Sequence, residues 1–88
     1  MRKFTALTEQ EILALAISNE EEDGRIYADF SYALQENYPD TAKIFADMVR
    51  EEDDHRRHLI DVYVRRFGDH IPLVRRQDIA GFMPRKPA

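Results

Sequence analysis

The stretch FADMVREEDDHRRHL, residues 45–59, decides the fold of this chain. Its apolar side chains recur at the three- and four-residue spacing of one helical face. They are Phe45, Met48, Val49 and Leu59. Glu52 and His55 interrupt this series but stay on its line, because Glu52 follows Met48 by four residues and Leu59 follows His55 by four. The stretch therefore predicts a helix whose core-facing side carries charged groups at mid-length.

The same spacing continues on both sides and predicts a second helix over about residues 41–67. Pro39 disfavours helix at the residue before it, so the chain should break there, with Asp40 or Thr41 as the N-cap of the second helix. Gly68 stands just after the last apolar residue, where a helix C-terminus favours glycine.

A first helix is predicted over about residues 8–37. Thr8 and Glu11 have the spacing of a capping box, which satisfies backbone groups at a helix N-terminus. The apolar stripe of this helix consists of Ile12, Leu13, Ala16, Ile17, Tyr27, Phe30, Ala33 and Leu34. Glu20 and Asp23 fall in the gap between Ile17 and Tyr27, so they also project with the core rather than with solvent.

Length and composition set the remaining limits. The chain has 88 residues, no cysteine and a formal net charge of −4, which argues against disulfides and nucleic-acid binding. It shows no signal peptide and no apolar run long enough for a bilayer, so a cytoplasmic location is expected. The tail, residues 68–88, is predicted to be extended with one short helical turn. Ile79, Phe82 and Met83 of this tail are expected to pack on a neighbour.

Two helices rarely bury enough apolar area to fold without a metal, a disulfide or a partner subunit. Glu20 should face Glu52 and His55 from the other helix, and three ionisable groups at core positions require a cation or each other. Carboxylates combined with imidazole suit iron, manganese or zinc. One chain supplies half of the four-carboxylate, two-histidine set of di-iron bundles. An all-α fold is therefore predicted, an antiparallel hairpin that dimerises into a four-helix bundle.

The sequence also resembles a known family. Tyr27 follows Glu20 by seven residues, and the Glu52 to His55 motif follows Phe45 by seven. These spacings, together with two stretches of sequence, resemble the first helix pair of the rubrerythrin branch of the ferritin-like superfamily. The stretches are ISNEEEDGRIY, residues 17–27, and EEDDHRR, residues 51–57. The similarity is closest to the N-terminal domain of membrane-bound ferritins.

The resemblance implies a role for each candidate residue. Glu20 would be a terminal carboxylate, Glu52 a bridging carboxylate and His55 a terminal imidazole ligand. Asp23 and Tyr27 would orient these ligands. Two simpler interpretations stay open, namely that Asp23 pairs with Arg56 or Arg57 across the helices and that Tyr27 is a buried aromatic residue.

The resemblance further implies oxidation of Fe(II) by dioxygen or peroxide, with two irons per dimer, in iron storage or detoxification. The family's second helix pair and four-cysteine centre are not seen here, so the chain is expected to be a fragment of a longer membrane-associated protein or a half-size protein. A half-size protein would form a homodimer or a higher even-numbered homo-oligomer, as encapsulated ferritins do inside a shell. The alternative is a non-catalytic helical oligomerisation module whose tail, from Ile71 to Met83, is a docking surface.

Overall fold

A computed structural model describes residues 2–81. Two long helices, α1 (Glu9–Leu34) and α2 (Pro39–Phe67), pack against each other along their length. Single 3₁₀ turns cover Phe4–Ala6 and Arg76–Asp78. The predicted all-α helical hairpin is thereby confirmed. Within residues 2–81, no helix is long and apolar enough to cross a bilayer.

The two ends of the described chain meet in a small parallel bridge. Strand β1 (Arg2–Lys3) pairs with strand β2 (Ile79–Ala80), and Arg2 lies opposite Ile79. The spacing of apolar residues could not predict this pairing, because a strand of two residues is too short to show a periodic pattern. It holds the tail beside the beginning of α1.

The N-terminus of α1 and the C-terminus of α2 have the local structure that the sequence predicts. The Oγ1 atom of Thr8 accepts a hydrogen bond from the Glu11 amide at 3.2 Å, and the Glu11 carboxylate accepts one from the Thr8 amide at 3.0 Å, so the capping box is confirmed. Gly68 ends α2 with φ of 92°, a left-handed value that disfavours side chains with a Cβ.

The predicted bounds at the turn need correction. Helix α1 ends at Leu34 instead of residue 37, and α2 begins at Pro39 instead of residue 41. Proline fits the first position of a helix, where its missing N–H is not needed and its fixed φ is already helical. Tyr38 is therefore the N-cap, in place of Asp40 or Thr41, and its side chain makes no cap hydrogen bond.

The core lies at the end of the hairpin where the tail returns. It is formed by Leu7, Ala14, Leu15, Ile17, Tyr63, Val74 and Ile79. Tyr63 is fully buried, and its hydroxyl accepts from Gln10 Nε2 at 2.8 Å and donates to the His70 carbonyl at 2.9 Å. Ile79 thus packs on its own chain instead of a neighbour. Phe82 and Met83 lie outside the described residues.

The tail also explains why the predicted stripe of α1 is partly wrong. Ile12 and Phe30 are 39% and 47% exposed, whereas Leu15 and Ser18, which lie off the stripe, are buried. Ser18 Oγ donates to the Val74 carbonyl at 2.5 Å, which shows the tail lying across a second face of α1. Helical spacing detects one buried face, so it could not reveal a second face covered by an irregular segment.

Candidate metal centre

Glu20, Glu52 and His55 meet halfway along the hairpin. Glu20 comes from α1 and the other two from adjacent turns of α2. One ligand atom from each residue can be chosen so that all three atoms lie within 4.8 Å of one another. His55 Nδ1 is 3.9 Å from Glu20 Oε2. The structure therefore brings together the three candidate ligands that the interrupted stripes single out.

The surroundings of these atoms suit a cation. The Oε2 atoms of Glu20 and Glu52 are both buried, and among residues 2–81 no donor makes a hydrogen bond to Glu20 Oε2. Removing a carboxylate oxygen from water without a donor is costly, and a bound cation removes that cost. Two carboxylates and one imidazole form a donor set that iron, manganese and zinc accept.

One chain supplies three donor residues to this site. Three donor residues are fewer than the four to six ligands that such ions usually take. The His55 side chain is 63% exposed, whereas that of Glu20 is 20% exposed. The imidazole therefore lies at an open edge of the hairpin, where a further group can complete the coordination.

Gly24 marks a close approach of the helices at the centre. A Cβ atom built on Gly24 would lie 4.0 Å from the Cβ of Glu52. An added Cβ would make ordinary van der Waals contact with the Glu52 side chain. Gly24 lies beside a candidate ligand but was not singled out from the sequence.

The two residues expected to orient the ligands have different surroundings. Asp23 is 6% exposed, and its Oδ1 accepts from Arg76 Nη1 at 3.2 Å. This guanidinium also contacts Glu22 at 2.8 Å, so Arg76 fastens the tail to α1 one turn away from Glu20. Tyr27 is half-buried, and its ring lies against Phe45 with the centroids 6.1 Å apart.

The two arginines of α2 that were considered as ion-pair partners of Asp23 contact other carboxylates. Arg56 Nη2 binds Asp53 Oδ1 at 2.7 Å, and its Nη1 lies 3.6 Å from Glu21 Oε1 on α1. This hydrogen bond lowers the pKa of Asp53 below its ordinary range and raises that of Arg56. Arg57 Nη2 lies 3.0 Å from Asp53 Oδ2. An inter-helix ion pair does form, but it joins Glu21 to Arg56.

A helical hairpin that carries carboxylates and an imidazole at mid-length defines a ferritin-like, metal-binding class of protein. The family comparison agrees, because the rubrerythrin family profile matches residues 11–88. The chain therefore belongs to the rubrerythrin family, which includes di-iron oxidoreductases. Neither the curated proteins nor the solved structures compared with this chain give a match.

Proposed function

We propose that two copies of this chain pair to form a di-iron ferroxidase, which oxidises Fe(II) to Fe(III) with dioxygen or peroxide in iron storage or detoxification. The observation that carries the proposal is the convergence of Glu20, Glu52 and His55 at an open edge of the hairpin. Membership of the rubrerythrin family supports the choice of iron.

The pairing surface is argued from exposed apolar side chains on the two helices that carry the ligands. On α1, Ile12 and Phe30 lie on one line about a quarter turn around the helix from Glu20, and on α2 helical spacing puts Ile44 on the face of His55. These three apolar side chains are 39%, 47% and 59% exposed. Exposed apolar side chains on the same elements as polar ligands are typical of a protein–protein contact. A second copy across a two-fold axis would cover the surface and double the ligand set.

Each ligand has a distinct task in the paired site. Glu20 and Glu52 would bring negative charge that offsets the charge of the metals, each with one buried carboxylate oxygen, and Glu52 would be the bridging carboxylate that the family resemblance implies. His55 supplies a neutral nitrogen donor at the edge that the partner would cover. Two Fe(II) ions held together supply the two electrons that reduce dioxygen to peroxide or peroxide to water.

Replacement of Glu52 by Gln tests the proposal. The substitution keeps the shape of the side chain but removes its charge, so the rate of Fe(II) oxidation should fall at least about 100-fold, more than a lost supporting contact typically costs. The rate is followed by Fe(III) absorbance after Fe(II)-loaded protein is mixed with oxygenated buffer. Glu51→Gln, at the exposed neighbouring position, is the matched control and should keep the native rate. Native oxidation by Glu52→Gln would contradict the proposal.

The alternative of a non-catalytic oligomerisation module also has an observation in its favour. His55 Nδ1 and Glu20 Oε2 lie 3.9 Å apart, within ion-pair range but too far for a hydrogen bond, and this contact between the helices requires no metal. If that pair is structural, Glu20→Gln would weaken assembly in metal-free buffer and the native chain would not oxidise Fe(II). The ferroxidase proposal predicts that this substitution leaves metal-free assembly unchanged and that the native chain oxidises Fe(II).

A further inference from the structure

A cleft of about 470 Å³ opens between the helices at the level of the metal centre. Glu20 and Glu52 form part of its wall, together with Gly24. Gly24 lies beside Glu52, since a Cβ atom built on it would come within 4.0 Å of the Glu52 Cβ. The side chains of two candidate ligands therefore border solvent-accessible space on this side of the hairpin.

This cleft lies on a different side from the pairing surface. Its remaining wall includes Glu21, Arg25 and Ala28 of α1, which follow each other at helical spacing on one face. Tyr27 and His55 are not among its wall residues. A partner seated over His55 would close that edge but would leave the cleft open.

The guanidinium of Arg56 lies across the cleft. It joins Asp53 of its own helix, at 2.7 Å, to Glu21 of α1, at 3.6 Å. Its side chain is 31% exposed, so it is held within the wall, whereas Arg57 next to it is 73% exposed. Arg57 contacts the same carboxylate of Asp53 but is not a wall residue.

From this geometry we propose that the cleft is the access route by which a hydrated divalent cation reaches Glu20 and Glu52, and that Arg56 is the gate across it. The proposal rests on the proposed function, since it needs a metal at these ligands. It assigns to Arg56 control over the rate of metal exchange and no part in metal affinity.

Size and charge both suit this use. Six water molecules occupy about 180 Å³ of liquid volume, so a hexahydrated ion fits a cleft of 470 Å³. The wall carries four carboxylates and two guanidinium groups, so it is net negative and attracts cations. The carboxylates are Glu20, Glu21, Glu52 and Asp53, and the cationic groups are Arg25 and Arg56.

Stopped-flow binding of Co(II) to the 88-residue chain tests the gate, because Co(II) reports its coordination by visible absorbance and avoids oxidation chemistry. Arg56→Gln should bind Co(II) at least about threefold faster than Arg57→Gln. Arg57→Gln is the matched control, because it makes the same change in net charge without opening the cleft. A route serves both directions, so the dissociation rate should rise by the same factor and the dissociation constant should stay within about twofold. Equal rates in the two variants would overturn the gate.

A second variant keeps the test decisive if Arg56→Gln does not fold. Ala28 is an exposed wall residue, so Ala28→Leu should fold and should slow association and dissociation together by narrowing the cleft. Unchanged rates in Ala28→Leu would overturn the route while Co(II) binding itself leaves the proposed function standing. A native chain that binds no Co(II) would overturn both.

Discussion

The two halves of the hairpin differ in how their apolar side chains are covered. Near the chain ends, the tail closes over α1 and α2 and buries Tyr63 and Leu15. Near the turn, Ala42 alone is buried between residues 24 and 62. Large side chains stay exposed there, including Phe30 at 47% and Ile44 at 59%. One half thus completes its own core, while the other leaves large apolar side chains exposed, and the candidate metal centre lies at their boundary.

The covered half should contribute most to the stability of the single chain. Tyr63→Ala removes a fully buried ring and two hydrogen bonds, so the free energy of unfolding should fall by about 4 kcal/mol, in the range of large-to-small core substitutions. Tyr32→Ala, at a side chain 82% exposed, is the control and should change it by less than about 0.5 kcal/mol. Urea unfolding followed by circular dichroism measures both. Equal losses would remove the distinction between the halves.

Substitutions in the turn half should change the assembly of two chains rather than the stability of the single chain. Ile44→Asp puts a charge on the proposed pairing surface, so the dissociation constant of the two-chain assembly should rise at least about 30-fold while helix content is retained. Tyr32→Asp adds the same charge at an exposed position outside that surface. Sedimentation velocity over a concentration series distinguishes them. Assembly that is insensitive to Ile44→Asp would show that the exposed apolar face is not the contact.

The smallest expected effect concerns the N-terminus of α1 and its pH dependence. The Thr8 amide hydrogen bond, followed by Arg2, lowers the pKa of Glu11 below its ordinary value of 4.5. The stabilisation is therefore complete above pH 4.5 and is lost as pH falls through the lowered pKa. Glu11→Gln should be less stable than the native chain at pH 7, and the difference should shrink towards pH 3.

Thermal unfolding at several pH values measures this difference. Glu36→Gln, in the turn, controls for the loss of one negative charge without loss of the cap. A gap between native and Glu11→Gln chains that widens on acidification would contradict the assignment of the capping box as the source of the lowered pKa.

Local patterns predicted the parts of this structure that depend on local physics. The capping box at Thr8 and the helix end at Gly68 follow from adjacent backbone groups, and the hairpin follows from apolar spacing. Glu20, Glu52 and His55 were found because charge at core-facing positions contradicts the stripe. Their meeting in space needs only two antiparallel helices in a suitable register.

The parts that were missed depend on irregular or long-range contacts. The tail has no period that could show Val74 and Ile79 returning to α1, so the buried state of Leu15 was not predicted. The contacts of Arg76 with three residues of α1 likewise depend on the return of the tail and are visible only in the fold. The cleft is walled by residues of both helices, including Gly24 and Glu52, and no single stretch of sequence contains that relation.

The central claim is that Glu20, Glu52 and His55 from two chains hold a pair of metals. Its most direct test is metal content per chain together with solution mass, on protein loaded with Fe(II) in the absence of oxygen. The account predicts one iron per chain in an even-numbered assembly. A metal-free assembly that cannot be loaded, or iron bound by single chains, would contradict it.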